Sequence, residues 1–486
     1  MRILFAASEV FPLVKTGGLA DVAGALPAAL AAAGHDVRVL LPGYPQALAA
    51  AQDPQPAGSL GDPLGVGEEA TLVAARLPGS GVPVWLIRCP KLYERAGGPY
   101  QDADGADFAD NALRFGLLSW AAAHLSTQGS PLGWPPQILH CHDWQSGLAL
   151  AYLRAWEPEE APATVFTIHN IAYQGRFAPD WLPRLGLAWS LFHPDGLEYW
   201  GDLSFLKAGL VYADRLTTVS PRYAREIQSP AFGCGLEGVL SRRAADLVGI
   251  LNGADYGVWN PAADSRLPHP YGAGGLEAGK AANKAALQHA LGLEADPAAP
   301  LLIIVSRLTD QKGMDMVLAT LPAILRQGAQ LAVLGAGDKA LEQGFLSAAA
   351  GSPGRMSVTI GYSEDLAHRL LGGGDMLLMP SRFEPCGLTQ FYALRYGTVP
   401  VVHATGGLAD TVMDCSYDSL MTGTGTGFVF EHANAGAFQW CVERAIAAFR
   451  DRGQWRRIQA AGIAQDFGWA GSAARYGALY GELARP

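Results

Sequence analysis

Cysteine, charged residues and long apolar runs are scarce in this 486-residue chain, and each scarcity excludes a class of protein. The six cysteines form no Cys-x-x-Cys pair, so reduced thiols explain them better than a disulfide framework or a zinc ribbon. Charged residues make up 16%, and the formal net charge is −10, which argues against the basic face that nucleic acids or membrane surfaces attract. No apolar run approaches the length of a membrane-spanning helix, about 18 residues.

The composition favours an ordered, enzyme-like protein with more than one core. Apolar residues make up 49%, and a chain of 486 residues predicts two or three domains. The N-terminus reaches Glu9 and Lys15 before an apolar signal region could be completed, so no secretory signal is expected. We therefore expect a soluble cytoplasmic protein; its oligomeric state is left open.

Buried strands alternate with helical patterns along the whole chain. In the first half, apolar runs predict strands over 2–7, 37–41, 82–87, 137–142, 164–169 and 215–220. The pattern restarts at 247, and further strands are predicted over 301–305, 331–334, 356–360, 376–379 and 398–402. Continuous apolar strands separated by helices predict an α/β fold with two Rossmann-like domains that face a cleft.

The predicted domains are residues 1–246 and 247–460, followed by a helical segment over 461–486. This last segment carries aromatic residues that must be buried, so we expect it to cross back to the first domain. The loop 261–279 is rich in Pro and Gly, and its pattern assigns it no role.

The loop between the first strand and the first helix has the chemistry of an anion site. Its sequence is Lys-Thr-Gly-Gly-Leu-Ala-Asp over 15–21. Gly17 and Gly18 let an anion approach the backbone at a helix N-terminus, and Lys15 adds a positive charge. A tight turn with a solvated lysine is the alternative, and the loop alone does not decide between them.

Two further loops predict the other half of such a site. Arg307 and Lys312 follow the strand over 301–305, where two cations could bind adjacent phosphates. The alternative is a helix-start loop whose charges are solvated, and we favour phosphate binding. Glu384 lies in Pro-Ser-Arg-Phe-Glu-Pro-Cys-Gly-Leu-Thr over 380–389, where its carboxylate could accept hydrogen bonds from sugar hydroxyls. The alternative is an acidic residue placed at a helix start by the helix dipole. A second Gly-Gly-Leu-Ala-Asp, over 406–410, predicts a similar strand–loop–helix turn.

Two weaker motifs have a functional and a structural interpretation. His140, His142 and Asp143 could hold a metal with His169, but we favour a polar cluster that binds sugar hydroxyls and predict no metal site. The Gly-Ala-Gly over 335–337 could belong to a dinucleotide fingerprint, but it follows the wrong strand and lacks the acidic partner, so a structural turn is favoured.

Taken together and in order, these motifs resemble bacterial glycogen synthase and plant starch synthase along the whole chain. The residues that carry the resemblance are those over 15–21, His142-Asp143-Trp144, Thr167-Ile168-His169-Asn170, Asn252-Gly253, Ser306-Arg307, Gln311-Lys312-Gly313 and those over 382–388. The resemblance implies a glycosyltransferase B fold. It also implies transfer of glucose from ADP-glucose to the non-reducing end of an α-1,4-glucan such as glycogen, with the α configuration retained and no cofactor.

The same resemblance assigns roles to single residues. It implies catalytic roles for Glu384, Lys312, Arg307, His169 and Asp143. It implies contacts with ADP-glucose for Lys15, Gly17, Gly18, Asn252, Cys386, Gly387 and Leu388. Glu9, Asp21 and Tyr100 are weaker assignments to the acceptor or to the cleft.

The sequence departs from the wider superfamily at one position and leaves some chemistry open. A second glutamate often follows the first by eight positions, but here that position is Tyr392, which puts recognition of the ribose by a carboxylate in doubt. Retention could proceed on one face of the sugar or by double displacement, and we favour the first. No residue decides between ADP-glucose and UDP-glucose.

Three other functions fit parts of the sequence. Two Rossmann-like domains and the Gly-Ala-Gly turn would suit an NAD-dependent oxidoreductase, but Arg307 and Lys312 count against it. A silent glucan-binding protein would not need Lys15, Lys312 and Glu384 together. A glucan phosphorylase would share the fold, but it should carry pyridoxal phosphate on a lysine, which absorbance would reveal.

Overall fold

The computed structural model describes residues 1–484 and divides the chain into two compact units. The first unit comprises Met1–Gly253 and the C-terminal residues from Trp469 on, and the second comprises Ala254–Gly468. The boundaries predicted after 246 and after 460 fall earlier in the chain than these. No helix within the described residues is long and apolar enough to cross a membrane.

The first unit contains a large, mostly parallel sheet in the order β12-β11-β7-β6-β1-β2-β5-β4-β3, and a small sheet in the order β8-β10-β9. Its strands are β1 Arg2–Ala6, β2 Asp36–Pro42, β3 Gln52–Gly61, β4 Ala70–Arg76, β5 Pro83–Arg88, β6 Ile138–His142, β7 Ala163–Ile168, β8 Arg176–Phe177, β9 Glu198–Tyr199, β10 Asp202–Ser204, β11 Arg215–Thr218 and β12 Leu247–Gly249. Only β3 with β4 and β4 with β5 pair antiparallel in the described part of the large sheet.

The helices of this unit connect the parallel strands. They are α1 Gly18–Ala32, α2 Pro45–Ala50, α3 Pro90–Tyr93, α4 Asn111–Leu125, α5 Trp144–Trp156, α6 Trp181–Arg184, α7 Phe205–Tyr212, α8 Pro221–Glu226 and α9 Glu237–Arg242, with a 3-10 turn at Trp189–Leu191. Strand β1 shows why the sheet lies in the interior: Ile3 through Ala6 are completely buried, as the continuous apolar run predicts.

The strand at 247, predicted to begin the second domain, is instead the last strand of the large sheet in the first unit. Leu247 pairs with Leu216 in a parallel ladder between β12 and β11, so the second unit begins after this strand. The residues of a parallel strand favour burial in a sheet, but they do not specify which sheet, and here the crossover through α8 and α9 brings the strand back beside β11.

The second unit is a parallel sheet in the order β15-β14-β13-β16-β17-β18, with helices packed against it. Its strands are β13 Leu301–Val305, β14 Gln330–Gly335, β15 Met356–Ile360, β16 Met376–Met379, β17 Val399–His403 and β18 Phe428–Phe430. Its helices are α10 Leu276–Ala290, α11 Met314–Arg326, α12 Lys339–Ala350, α13 Glu364–Gly373, α14 Thr389–Arg395, α15 Gly406–Thr411, α16 Tyr417–Thr422, α17 Ala435–Arg450 and α18 Arg452–Ile463, with 3-10 turns at Ala273–Gly275 and Asp310–Lys312.

Both faces of this second sheet are covered. Leu302 and Ile304 belong to one apolar cluster, whereas Leu301 and Ile303 belong to another. Because successive side chains of a strand point to opposite faces, the two clusters lie on opposite sides of β13. This explains why the strand is apolar at every position.

The C-terminal helix, α19 Trp469–Leu483, packs in the first unit, as the predicted fold class requires. Tyr480 is buried, and its hydroxyl lies 2.7 Å from His140 Nδ1 on strand β6. Near the start of the helix, Ser472 donates a hydrogen bond to the carbonyl of Leu251 at 2.5 Å. The aromatic face seen in the sequence is therefore the face that the helix buries.

The Pro- and Gly-rich loop over 261–279 is tied into the second unit by buried hydrogen bonds. The hydroxyl of Tyr271 donates to the carbonyl of Tyr396 at 2.8 Å. The carboxylate of Asp264 lies 2.7 Å from both His368 Nδ1 and the Tyr396 hydroxyl. These contacts give the loop a structural role that its composition does not reveal.

Candidate active site

In each unit the order of the parallel strands reverses once, and most of the predicted site residues lie in the loops beside that point. In the first unit, β1 lies between β2 and β6; in the second, β13 lies between β14 and β16. Open α/β sheets bind ligands outside the carboxyl ends of the strands at such points. The loops after β1 and β6, and those after β13 and β16, are therefore the candidate binding elements.

Glu9 holds the loop that follows β1. This buried carboxylate accepts hydrogen bonds from the backbone N–H groups of Thr16 and Gly17, the second at 3.1 Å. The Tyr100 hydroxyl donates to its other oxygen. Two backbone donors and one phenol fix the loop at the point where helix α1 begins.

Lys15 and the two glycines face outward from that loop. Lys15 Nζ lies 2.7 Å from Asp21 Oδ1 in a partly exposed ion pair. A Cβ added at Gly17 or Gly18 would meet no atom of the described chain within 4 Å, and Gly17 has a φ of −149° that any residue adopts. Neither packing nor backbone conformation requires glycine here, so the open approach to the backbone is the property that glycine provides.

The loops after β6 and β7 bring Asp143 and His169 together. Asp143 has a φ of 54°, and its carboxylate accepts hydrogen bonds from the backbone N–H groups of His169 at 2.7 Å and Asn170 at 3.4 Å. Burial raises the pKa of Asp143 to about 7; those two hydrogen bonds oppose the rise, and the negative charge of Glu9 adds to it.

Buried imidazoles extend this cluster inward from His169. His169 Nε2 lies 2.9 Å from His142 Nδ1, and the ring of His142 is tilted against that of His140 with centroids 4.0 Å apart. His140 in turn contacts Thr167 at 2.6 Å and Tyr480 at 2.7 Å. Burial lowers the pKa of His169 to about 3 and lowers the pKa values of the other two, so all three rings are neutral at physiological pH.

Asn252, which follows β12, has an unsatisfied buried oxygen. The residue is 7% exposed, and its Oδ1 has no hydrogen-bond partner within residues 1–484. An unpaired buried carbonyl costs about 1–3 kcal/mol, so a ligand hydroxyl that donates to it would relieve this cost.

In the second unit, Lys312 and Glu384 form an ion pair between the loops after β13 and β16. Lys312 Nζ lies 2.6 Å from Glu384 Oε2, and the buried Ser381 hydroxyl donates to the same oxygen at 2.9 Å. A Cβ at Gly313, whose φ is +71°, would lie 2.2 Å from the Pro380 carbonyl oxygen. This glycine lets the two loops approach closely enough for the pair to form.

The pair is braced by neighbouring contacts. The Gln311 side-chain amide donates a hydrogen bond to the Phe383 carbonyl at 3.2 Å, and the Gln311 backbone carbonyl accepts one from the Arg382 backbone N–H at 2.9 Å. Both Arg382 terminal nitrogens lie 2.6 Å from the Asp315 carboxylate, a bidentate ion pair. Arg307 lies on the exposed side of the first of these loops.

The segment from Glu384 to Leu388 leads into helix α14 and packs on the second Gly-Gly turn. The backbone N–H of Gly407 donates to the Glu384 carbonyl at 3.2 Å and to the Pro385 carbonyl at 3.1 Å. A Cβ at Gly406 would lie 1.9 Å from the Glu384 carbonyl oxygen, and one at Gly407 would lie 2.2 Å from that of Cys386. The two Gly-Gly-Leu-Ala-Asp segments both begin helices, but the second pair of glycines is required by packing.

The Gly-Ala-Gly turn after β14 is also a packing feature. A Cβ at Gly335 would lie 1.9 Å from the Ser306 carbonyl oxygen, and one at Gly337 would lie 2.3 Å from that of Leu308. These glycines let the loop that carries Arg307 pack closely against the turn. The turn therefore has a packing role beside the candidate phosphate-binding loop, and this explains the glycines without a dinucleotide site.

The sequence interpretation missed two residues that support Glu384. Ser381 bonds its carboxylate directly, and His403 Nδ1 lies 2.8 Å from the Ser381 carbonyl oxygen. Position at a strand's carboxyl end would have identified His403, the last residue of β17. Ser381 is three residues before Glu384, and no pattern in the sequence distinguishes it from a turn residue.

Comparison with known proteins decides the family. Residues 2–242 match the family described as starch synthase catalytic domain, and residues 299–448 match glycosyl transferases group 1. The chain is 67% identical over 483 residues to a glycogen synthase of Paramagnetospirillum magneticum, with 99% of this chain and 98% of the relative covered. The chain belongs to the glycogen and starch synthase family of glycosyltransferases.

Other members of the family agree over the same length. A glycogen synthase of Rhodospirillum rubrum is 49% identical, with 99% of this chain and 98% of the relative covered. The solved catalytic domain of starch synthase IV from Arabidopsis thaliana, bound to ADP and acarbose, is 31% identical with a TM-score of 0.88, and each chain is covered to 99%. These matches confirm the predicted family and the glycosyltransferase B fold class.

At the position where the superfamily often has a second glutamate, the Tyr392 ring stacks on Trp259 with centroids 4.1 Å apart. Trp259 in turn stacks on His368 at 3.8 Å. The departure noted in the sequence is therefore an aromatic packing position within the second unit.

Proposed function

We propose that this chain is a glycogen synthase that transfers glucose from ADP-glucose to the non-reducing end of an α-1,4-glucan, with retention of the α configuration. The observation that carries the proposal is the full-length likeness to a starch synthase solved with ADP and acarbose, a nucleoside diphosphate and an oligosaccharide mimic. The charged loops at the two strand-order reversals support it, because they supply cations and hydrogen-bonding groups where such ligands bind.

In this proposal, cations stabilise the departing ADP. Breaking the bond between glucose and phosphate places growing negative charge on the diphosphate. Lys312, held by Glu384, and the exposed Arg307 are the groups that meet this charge in the second unit. Lys15 and the open backbone at Gly17 and Gly18 contribute a further cation and helix N-terminal N–H groups.

The glucose is proposed to be held by carboxylate, amide and backbone groups. Glu384 accepts hydrogen bonds from the sugar hydroxyls, and the backbone of Cys386, Gly387 and Leu388 lies along the sugar and phosphate. Gly387 has a φ of +70°, which turns the chain into helix α14 and leaves the N–H groups at that helix start for a ligand.

Asp143, His169 and Asn252 are proposed to contact the sugar from the first unit. Two backbone hydrogen bonds join Asp143 to the segment 169–170, which fixes their relative positions. The Asn252 oxygen supplies an acceptor that is already desolvated. Neutral His169 can exchange one hydrogen bond with a hydroxyl without adding charge near the anomeric carbon.

Retention is proposed to occur on one face of the sugar. The leaving phosphate accepts the proton of the incoming glucan hydroxyl, the glucose–phosphate bond breaks, and the hydroxyl oxygen bonds to the same face of C1. This route needs no enzyme nucleophile, so the cations that stabilise the diphosphate provide the main catalytic contribution.

Glu9, Asp21 and Tyr100 are proposed to position the loop over 15–21 near the glucan acceptor. Glu9 and Tyr100 hold its backbone, and Asp21 holds Lys15. The proposed compartment is the cytoplasm, since five of the six cysteines are buried thiols, which suit a reducing environment.

The test is to mix the purified protein with glycogen and either ADP-glucose or UDP-glucose, and to measure nucleotide release and glucose incorporation. We expect ADP release matched by new α-1,4 linkages, identified by proton NMR and by sensitivity to β-amylase. Faster turnover with UDP-glucose would overturn the donor assignment, and no release from either donor would overturn the function.

A further inference from the structure

His142 has no role in the transfer as proposed so far, although it is completely buried beside a residue that has one. Its Nδ1 lies 2.9 Å from Nε2 of His169, which is proposed to contact the sugar. His142 is the last residue of β6, and His169 follows β7, the parallel neighbour of β6. The two rings therefore meet at the carboxyl edge of the sheet, where ligands bind. This contact occupies Nε2 of His169, and Nδ1 is the nitrogen left for a ligand.

The position of His142 is fixed from two sides. The Ser146 hydroxyl accepts a hydrogen bond from the His142 backbone N–H at 2.7 Å and donates one to its carbonyl at 2.9 Å. The His142 ring stacks on Phe5 with centroids 3.8 Å apart. His169 is held as well, because its backbone N–H donates to the Asp143 carboxylate at 2.7 Å. The two imidazoles therefore face each other in one geometry.

The proton between the two rings has a favoured position. Burial lowers the pKa of both imidazoles, to about 3 for His169, so each ring is neutral and carries a single proton. The other nitrogen of His142, Nε2, is buried and has no hydrogen-bond partner within residues 1–484. Buried N–H groups without an acceptor are rarer in proteins than buried acceptors that lack a donor. This preference favours the His142 tautomer that carries its proton on Nδ1, facing His169.

We propose that His142 is a positioning residue for glucosyl transfer. Its Nδ1–H donates to His169 Nε2, which leaves the single proton of His169 on Nδ1, and that N–H donates a hydrogen bond to a hydroxyl of the donor glucose. The role rests on the proposed function, in which His169 contacts the sugar. The Oδ1 atom of Asn252, proposed to contact the same sugar, can only accept, so a donor on His169 complements it.

The tautomer can be observed in the wild-type protein by NMR. Protein that is isotopically labelled on histidine is studied by long-range proton–nitrogen correlation, which distinguishes a protonated ring nitrogen from an unprotonated one. The spectrum of His169→Gln identifies the signals of His169. We expect Nδ1 to be protonated in both His142 and His169, and Nε2 to be unprotonated in both. A His169 ring that carries its proton on Nε2 would overturn the proposal.

Two substitutions of His142 connect this arrangement to turnover. His142→Leu removes the donor and keeps an apolar side chain in the buried position, whereas His142→Asn retains an N–H donor on a shorter side chain. Below the melting temperature of each protein, we expect kcat/KM for ADP-glucose to fall about three- to tenfold in His142→Leu, as for loss of one neutral hydrogen bond. His142→Asn should restore kcat/KM to within about twofold of wild type.

Tyr480→Phe is the matched control for a general loss of stability. It removes a hydrogen bond from His140 in the same buried cluster and leaves the contact between His142 and His169 in place. Its melting temperature should fall, while kcat/KM measured below that temperature stays within about twofold of wild type. Wild-type kcat/KM in His142→Leu, or an equal loss in Tyr480→Phe, would overturn the proposal.

Deoxy analogues of ADP-glucose test whether His142 acts through a sugar hydroxyl. Each analogue lacks one hydroxyl of the glucose. Wild type and His142→Leu should transfer the analogue that lacks the hydroxyl bonded by His169 with equal kcat/KM, and the other analogues should keep the full difference between the two proteins. The same difference with every analogue would show an effect that does not act through a hydroxyl, and it would also overturn the proposal.

Failure of this role is distinguishable from failure of the proposed function. If wild type releases ADP and His142→Leu matches its kcat/KM, the role of His142 alone is rejected. If wild type releases no nucleotide from ADP-glucose or UDP-glucose, the transferase function is rejected, and the positioning role is rejected with it.

Discussion

Lys312 Nζ lies 2.6 Å from Glu384 Oε2, so two loops that are 72 residues apart in the chain share one ion pair. The loops follow β13 and β16, which flank the reversal of strand order in the second unit. The side chains are 17% and 7% exposed. The pair therefore holds the cation in place before a diphosphate arrives, and it links the proposed leaving-group site to the proposed sugar site.

Replacing Glu384 with Gln should reveal this link. The amide keeps the shape and can still contact Lys312 and Ser381, but it lacks the charge that attracts sugar hydroxyls and holds the lysine. We expect kcat/KM for ADP-glucose to fall about 10- to 100-fold, as for loss of a charged hydrogen bond worth about 1.5–3 kcal/mol. ADP release kinetics measure this, and an unchanged kcat/KM would remove Glu384 from the site.

The glycines of the first Gly-Gly turn should matter for activity and not for folding. Gly18 is the first residue of α1, and a Cβ there would meet no described atom within 4 Å. Gly18→Ala should leave the melting temperature unchanged or slightly higher, because Ala favours helices by about 1 kcal/mol over Gly. The KM for ADP-glucose should rise, because the new methyl group blocks approach to the backbone. Wild-type kinetics would contradict this account of the loop.

The matching glycine of the second turn should behave in the opposite way. Gly407→Ala would place a Cβ 2.2 Å from the Cys386 carbonyl oxygen, and the backbone on both sides must move. We expect a loss of about 1–3 kcal/mol of stability, seen as a lower melting temperature by calorimetry. A stability equal to wild type would show that the two turns are not distinguished by packing.

The hydrogen bond from the C-terminal helix to strand β6 should contribute to stability. Tyr480→Phe removes the hydroxyl that lies 2.7 Å from His140 Nδ1 and leaves that buried nitrogen unpaired, which should cost about 1–3 kcal/mol. Tyr44→Phe is the control, since the Tyr44 hydroxyl is buried with no hydrogen-bond partner in the described chain. Urea unfolding should show a loss for the first variant and none for the second; equal losses would reject the role of this bond.

The raised pKa of Asp143 predicts a pH dependence of stability with a definite sign. Its folded pKa of about 7 lies above the ordinary value of 3.8, so the folded protein binds the proton more tightly. The contribution of Asp143 to the free energy of unfolding is therefore fully present below pH 4 and is lost as the pH rises to about 7. Asp143→Asn should remove this loss and flatten the profile between pH 4 and 7.

The histidines oppose that trend and must be accounted for in the same experiment. The folded pKa of His169 is depressed to about 3 from 6.5, so its contribution is lost as the pH falls from about 6.5 to 3. Comparing Asp143→Asn with wild type at each pH cancels this shared contribution. A pH profile of the difference that stays flat from pH 4 to 7 would contradict the raised pKa.

Local sequence patterns predict much of the fold. Where they fail to predict an element, the failure has a physical cause. Runs such as Leu301–Val305 predict buried strands because both faces of the sheet are covered. The edge strand β3 is exposed along most of its length, contains Pro54 and Pro56, and so offers no apolar run. Strand β12 is visible as a strand, but its sheet is set by a crossover that lies outside its own residues.

The candidate site also has features that the sequence predicts and features that only the folded structure reveals. Charged residues at the ends of apolar strands predict Arg307, Lys312 and Glu384 as candidates, because those ends meet at one sheet edge. The sequence could not distinguish the two Gly-Gly-Leu-Ala-Asp segments, since the difference lies in what each glycine faces in space. Nor could it reveal the Lys312–Glu384 pair, which depends on how closely Gly313 lets two loops approach.

The most direct test of the account is the separation of turnover from glucan binding in Lys312→Ala. If Lys312 stabilises the departing ADP, kcat with saturating ADP-glucose and glycogen should fall about 10²- to 10³-fold, as for loss of a preorganised charge-stabilising group. The Kd for glycogen without donor should stay within about twofold of wild type, well below the tenfold change that 1.4 kcal/mol produces. Equal losses in kcat and in glycogen affinity would contradict the leaving-group role.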